Sequence, residues 1–319
     1  MPLNCLISYA YMNAKVLRMV QATQGSIRWM LDSGAFTAHE QGRPIEIDQY
    51  MQFLRDYGHL FWQTIALDVV GDAAATARNL NTMRAAGFNP MPVCTVDEDV
   101  EAVPAQLGSE CRNLCVAGGV SEPLDLYATR LSQIRRLAGP DVWLHGLGFA
   151  RGMRVAGTAV DSVDASSWMA GQRWGQLAWF QSAVGVRNIG WREALSRPWD
   201  KLPRGAQRAI VNMGLSPNHL KDSASLQRGA VSMLGVQSAF ASLQYAAALE
   251  QRGIRFIFAV PSVDLTMCLL VAARHATQRA VPWAACRDDV DNARTIQTER
   301  LGEYAREASN NVDRLWRLT

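Results

Sequence analysis

The chain has no apolar run long enough to cross a bilayer, so none of its 319 residues reads as a transmembrane helix. Its start, "MPLNCLISYAYMNAK", has neither the basic region nor the small-residue cleavage site of a signal peptide. A cytoplasmic protein is expected. Cys-x-x-Cys is absent. Cys5, Cys94, Cys111, Cys115, Cys268 and Cys286 are scattered through mostly apolar segments, and the spacing of Cys111 and Cys115 does not suit a zinc knuckle. These are expected to be buried thiols, with no metal. No Gly-x-Gly-x-x-Gly follows the first strand and no Walker-type loop occurs, which argues against a doubly wound nucleotide-binding sheet and implies no cofactor. Lysine is reduced to Lys15, Lys201 and Lys221, and there are no repeats.

What the chain does have is apolar bulk, 49% of its residues, enough for a large core without disulfides or metals. The net charge of +3 is too small to announce a nucleic-acid binder. Its distribution says more. Arg173, Arg187, Arg192, Arg197, Lys201, Arg204 and Arg208 are opposed only by Glu193 and Asp200, and are interleaved with Trp174, Trp179, Trp191 and Trp199. Arginine with exposed aromatics suits phosphate contact and base stacking, whereas tryptophan in a helix is more often core. Arg173, Trp174, Arg187 and Arg192 are the candidate nucleic-acid contacts.

Short apolar or β-branched runs alternate with helical patterns, the signature of βα units around a parallel sheet. The candidate strands are 3–9, 28–31, 64–67, 91–96, 113–116, 142–144, 159–163 and 254–260. Eight strands, most of them followed by a helix, point to a single α/β domain over 1–319, a (β/α)8 TIM barrel with its site at the C-terminal strand ends. The stretch of about 169–253 reads as a helical, Trp/Arg-rich insertion between strands seven and eight, with helices at 203–213 and 226–251.

The strand ends are unusually polar. Strand two runs into Asp32-Ser33-Gly34, strand three into Asp68 and strand four into Thr95. Strand five runs into Gly118-Gly119, strand six into His145-Gly146, and strand seven into Asp161 and Asp164. A lone Asp-Ser-Gly is ordinary turn chemistry and a lone Asp is a common helix cap. Several carboxylates at one mouth fit a site better. Paired carboxylates are the usual equipment for attack at an anomeric carbon, and Gly-Gly lets backbone approach a flat ligand, on which Phe36 could stack.

"LDSGAF", "ALDVVGD", "VAGGV", "LHGLGF" and "VDSVDASSW" occur in the order and near the spacing of motifs in the tRNA-guanine transglycosylase superfamily, which residues 29–170 resemble. "LISYAYM" and "SVDASSWMAGQRWG" look still more like the phage branch, the DpdA-type DNA-guanine transglycosylases. The resemblance implies that Asp164 is the nucleophile and Asp32 the general acid/base. It implies that Asp68, with Ser33 beside it, reads the base edge, that Gly118 and Gly119 give backbone contacts, and that Phe36 stacks. His145 falls where an apolar residue often lies in the tRNA enzymes, so its role stays open. Asp161 should point away from Asp164 by strand alternation and act in support. The zinc site of the tRNA enzymes is missing, and Thr95 stands nearest the glutamine expected after strand four. The expected reaction is exchange of guanine in DNA for a 7-deazaguanine such as preQ0, through a covalent glycosyl-aspartate. The partners would be DNA and the free base. The same chemistry on tRNA, a non-catalytic base-binding barrel and, more remotely, a glycosidase are the alternatives.

Overall fold

A computed structural model describes residues 2–95, 100–108, 111–118, 123–215, 231–277, 289–290 and 300–318. Its centre is an eight-stranded, all-parallel, curled sheet. The strands are β1 (Leu3–Ser8), β2 (Ile27–Asp32), β3 (Gln63–Thr64), β4 (Val93–Thr95), β5 (Asn113–Ala117), β6 (Trp143–Gly146), β7 (Ser162–Ala165) and, after the insertion, β10 (Arg255–Ala259). They neighbour one another in the order β3-β2-β1-β10-β7-β6-β5-β4. The two outermost strands also meet. Ile65 bridges Met91 in parallel, with Ala66 N donating to Met91 O at 2.9 Å and Met91 N to Thr64 O at 2.8 Å. No helix among the described residues is long and apolar enough to cross a membrane.

Alternation along each strand sorts the side chains into two cores. Leu6, Met30, Ile65, Met91, Val93, Cys115 and Ile257 form a compact inner cluster. Leu3, Cys5, Ile7, Trp29, Leu31, Leu114 and Val116, from the opposite strand faces, join the larger core under the helices. Cys115 therefore lines the interior, whereas Cys94 faces the helix layer. Helix side chains tie down the strand backbone: Tyr50 OH donates to Ile65 O and Tyr127 OH to Val116 O, both at 2.8 Å, the latter beside the bond from Leu147 N.

The seventh strand starts three residues later than its apolar signal suggested. Its inward positions, Ser162 and Asp164, are polar but buried, and hydrophobic patterning does not register such a strand. The insertion also departs from expectation, since it is not wholly helical. Gln176–Gln181 and Gly185–Gly190 form an antiparallel hairpin, β8 and β9, that pairs Trp179 with Arg187. Helices follow at Trp191–Ser196, Arg204–Asn212 and Met233–Glu250. The last is apolar all round and buried on nearly every face, as a helix enclosed between layers must be. His275 meets Asp289 at 2.9 Å, and Arg274 meets the same carboxylate at 2.7 Å.

Candidate active site

Two residues beyond inner-cluster positions, alternation returns the chain to the interior at the C-terminal end of the sheet. Leu6 leads to Ser8 and Met30 to Asp32, and the β1–β2 register sets Ser8 opposite Asp32. On β7, Asp164 is in register with the inner residue Ile257 of β10. Asp32 and Asp164 therefore face one mouth from strands three places apart in the sheet. Asp68 joins them from the loop after β3, where its Oδ1 accepts the Ser33 hydroxyl at 2.8 Å.

These carboxyls feel one another. Burial first, then the charges of Asp68 and Asp164, raise the Asp32 carboxyl from 3.8 to about 7, against the opposing pull of Gly34 N–H and Ser8. The Asp32 carboxyl is thus poised to give and to take a proton near neutral pH. The mouth itself is open, and Asp32 and Asp68 keep partial contact with solvent while Asp164 is only 5% exposed.

Each of the two inward carboxylates is held by the backbone N–H of a glycine in the left-handed region. Gly34, at φ +86°, donates to Asp32 Oδ2 at 3.0 Å, and Gly148, at φ +65°, donates to Asp164 Oδ1 at 2.6 Å. Gly34 is also confined: a Cβ there would lie 2.7 Å from Ala10 N and 2.8 Å from Ser8 Oγ. The local sequence turns this way because Asp and Ser bond the backbone that follows them; Ser33 Oγ accepts Ala35 N–H at 3.3 Å.

Behind Asp164 runs a sealed polar chain. Trp143 Nε1–H donates to Ser162 Oγ at 2.7 Å, Ser162 Oγ meets His145 Nδ1 at 2.9 Å, and His145 Nε2 lies 3.3 Å from Asp164 Oδ1. That last approach is close but falls outside hydrogen-bond geometry in this state. With Ser162 donating to Nδ1, the Nε2–H is the proton that faces Asp164. His145 and Ser162 are fully buried, so neither is placed to meet a ligand directly. His145 supports Asp164 from below. Asp161 lies on the other strand face, accepting from Arg135 and, at 2.7 Å, from Leu144 N.

The remaining expected residues are dispersed. Gly118 closes β5 with φ +94°, while Gly119 lies outside the described residues. Phe36 is 62% exposed on the short helix Ala35–Glu40 that follows Asp32, with its ring open to solvent. Arg173, Arg187 and Arg192 are exposed and Trp174 is 63% exposed, whereas Trp191 of the same segment is buried core. Trp179 packs over Gly205, where a Cβ would lie 2.1 Å from the indole. A cavity of about 480 Å³ opens beside the mouth, behind the Tyr9–Ala10 turn, with Phe53, Asn13, Gln41 and Arg43 among its walls. The carboxylates do not line it. Ser8, Ser162 and Trp143 were not evident as site residues, because only the register between distant strands brings them to Asp32 and Asp164. Neither a protein-family model nor a curated protein matches the sequence.

Proposed function

We propose that the protein is a guanine transglycosylase that exchanges guanine in DNA for a 7-deazaguanine. The observation that carries this reading is the meeting of Asp32, Asp68 and Asp164 at one mouth, with the Asp32 carboxyl raised to about 7. The reading takes the curled sheet as a (β/α)8 barrel, closed through the Ile65–Met91 bridge and interrupted by the insertion between its seventh and eighth strands.

In this mechanism a deoxyguanosine is extruded into the mouth, because C1′ of a stacked nucleotide is out of reach of a carboxylate. Asp164 attacks C1′, the C1′–N9 bond breaks, and its electron pair leaves with the base while protonated Asp32 supplies the proton. The sugar is then held as an ester of Asp164. An incoming 7-deazaguanine gives its N9 proton to Asp32 and attacks C1′, which frees Asp164. Two displacements retain the configuration of the sugar. Asp68, steadied by Ser33, takes the N–H groups on the base edge. The backbone at Gly118 and the exposed ring of Phe36 flank the base plane, and Gly148 and His145 hold Asp164 in line. Arg173, Trp174, Arg187 and Arg192 grip the flanking strand.

The test is incubation of protein, DNA and radiolabelled guanine. Wild-type protein is expected to incorporate label into DNA. Asp164→Asn should lower incorporation by at least three orders of magnitude while leaving the fold intact. Full activity in Asp164→Asn would remove it as nucleophile, absence of any incorporation by wild type would favour a base-binding barrel, and label found only in tRNA would move the reaction to that polymer.

A further inference from the structure

The opposite end of the sheet carries an arrangement that the carboxylate mouth does not use. Two residues before the inner-cluster positions, the strands point polar side chains inward: Asn4 on β1, Arg28 on β2 and Arg255 on β10. These strands are consecutive in the sheet, and the register sets Asn4 directly beside Arg28, with Arg255 on the strand along its other side. Each guanidinium sits over an indole, Arg28 4.6 Å from the Trp62 ring centre and Arg255 4.7 Å from the Trp143 ring centre, and the two indoles meet edge to face at 6.4 Å.

Among the described residues neither guanidinium donates to a protein acceptor, and neither comes within ion-pair distance of a carboxylate. Glu250, which senses Arg255, stays beyond it. A guanidinium carries five N–H donors, and two of them half-buried without a protein acceptor is an unusual surplus. The Arg255 Nε and the Trp62 Nε1 are sealed from solvent and unpartnered, and the side-chain oxygen of Asn4, beside Arg28, is likewise unpartnered. The like charges also act on each other: burial first, then Arg255, weaken the hold of Arg28 on its proton. Paired cations that repel, sit on rigid aromatic platforms and ignore the nearest amide lack a counter-ion of matching shape.

We infer that Arg28 and Arg255 form an oxyanion-binding site at the N-terminal end of the sheet, which takes a phosphate group between the two guanidiniums. The stacking on Trp62 and Trp143 preorganises the two forks, so little side-chain freedom is lost on binding. The site does not rest on the base-exchange reading: Trp143 also donates to Ser162 behind Asp164, but neither arginine takes part in that chain.

Inorganic phosphate is the first probe, titrated against the full-length protein at constant ionic strength balanced with chloride. Binding followed by calorimetry and thermal unfolding is expected to show saturable stabilisation by phosphate and none by chloride. Arg28→Met keeps the contact with Trp62 and removes one charge. It should weaken phosphate binding at least tenfold while leaving stability in chloride equal or higher, because the repulsion is gone. Arg255→Gln gives the same comparison should Arg28→Met fail to fold. A 5′-phosphorylated dinucleotide in a parallel arm separates a nucleotide phosphate from the free ion, by binding at least tenfold more tightly if the nucleotide is the ligand. Equal phosphate binding in wild type and both variants, or none in wild type with either probe, would overturn the site and leave the two arginines as a packed plug.

Discussion

A single carboxyl at the mouth ties protonation to stability. Asp32 holds its proton more tightly in the folded chain, at about 7, than at its ordinary value of 3.8. The contribution to stability is complete below about pH 4 and is lost as pH rises through about 7. Asp32→Asn removes the titration, so the variant should be more stable than wild type above pH 7, by about 2 kcal/mol once solvent in the open mouth is allowed for. The two should converge towards pH 4, where both side chains are neutral. Chemical denaturation at pH 4, 6 and 8 measures this, and parallel stability of the two proteins across that range would contradict it. The penalty resembles those stored at other working sites, where a group is held in a charge state the fold alone would not choose. Asp32 stood out in the sequence as the end of an apolar strand. Its raised affinity for protons did not, because that depends on Asp68 and Asp164, which are remote along the chain and are brought near only by the curl of the sheet.

Among the secondary-structure elements, the insertion is built into the core at close quarters. Gly171, in the helix Ala170–Trp174, lies so near Met233–Glu250 that a Cβ would stand 1.9 Å from Leu234 O and 2.9 Å from Ser238 Cβ. Gly171→Ala should therefore force the two helices apart and destabilise the protein by about 3 kcal/mol, read from denaturant midpoints; a change under about 0.5 kcal/mol would mean the crossing is looser than described. The same elements show what a sequence discloses. β1, β2, β5 and β10 were legible because each is an apolar run against which a helix packs. β7 was displaced and the β8–β9 hairpin was read as helix. In the first case burial falls on Ser162 and Asp164. In the second, Trp179 and Arg187 belong to a stretch whose Trp/Arg composition resembles a charged helix face, and only the fold-back before Gly185, at φ +106°, pairs them across two strands. The polar chain from Trp143 to Asp164 was not legible at all. It exists only where β6 and β7 register His145 against Ser162.

For the molecule as a whole, charge is concentrated rather than abundant. A net +3 gives little long-range attraction to a polyanion, so any grip on a strand of DNA must come from local groups. Arg173, Arg187 and Arg192 are exposed in the insertion and Trp174 is open to solvent. Replacing the three arginines with glutamine should weaken single-stranded DNA binding and reduce the slope of log K against log salt by about 2. Trp174→Ala should cost about 1–3 kcal/mol of affinity with the salt slope unchanged. Fluorescence anisotropy between 50 and 300 mM salt, roughly the range where screening acts, distinguishes them. Loss of neither affinity nor slope would free the insertion from this role.

The short path from Asp164 to the helix Ala170–Trp174 has a mechanical meaning. Trp168, lying between them, donates its indole N–H to Ala259 O at 2.9 Å and its carbonyl accepts from Ser238 at 2.7 Å. Both bonds are made by Trp168, so the short segment that carries the buried carboxylate is riveted at one point to the neighbouring strand and to the inserted arm. A shift of the arm is therefore handed on to Asp164 with little slack.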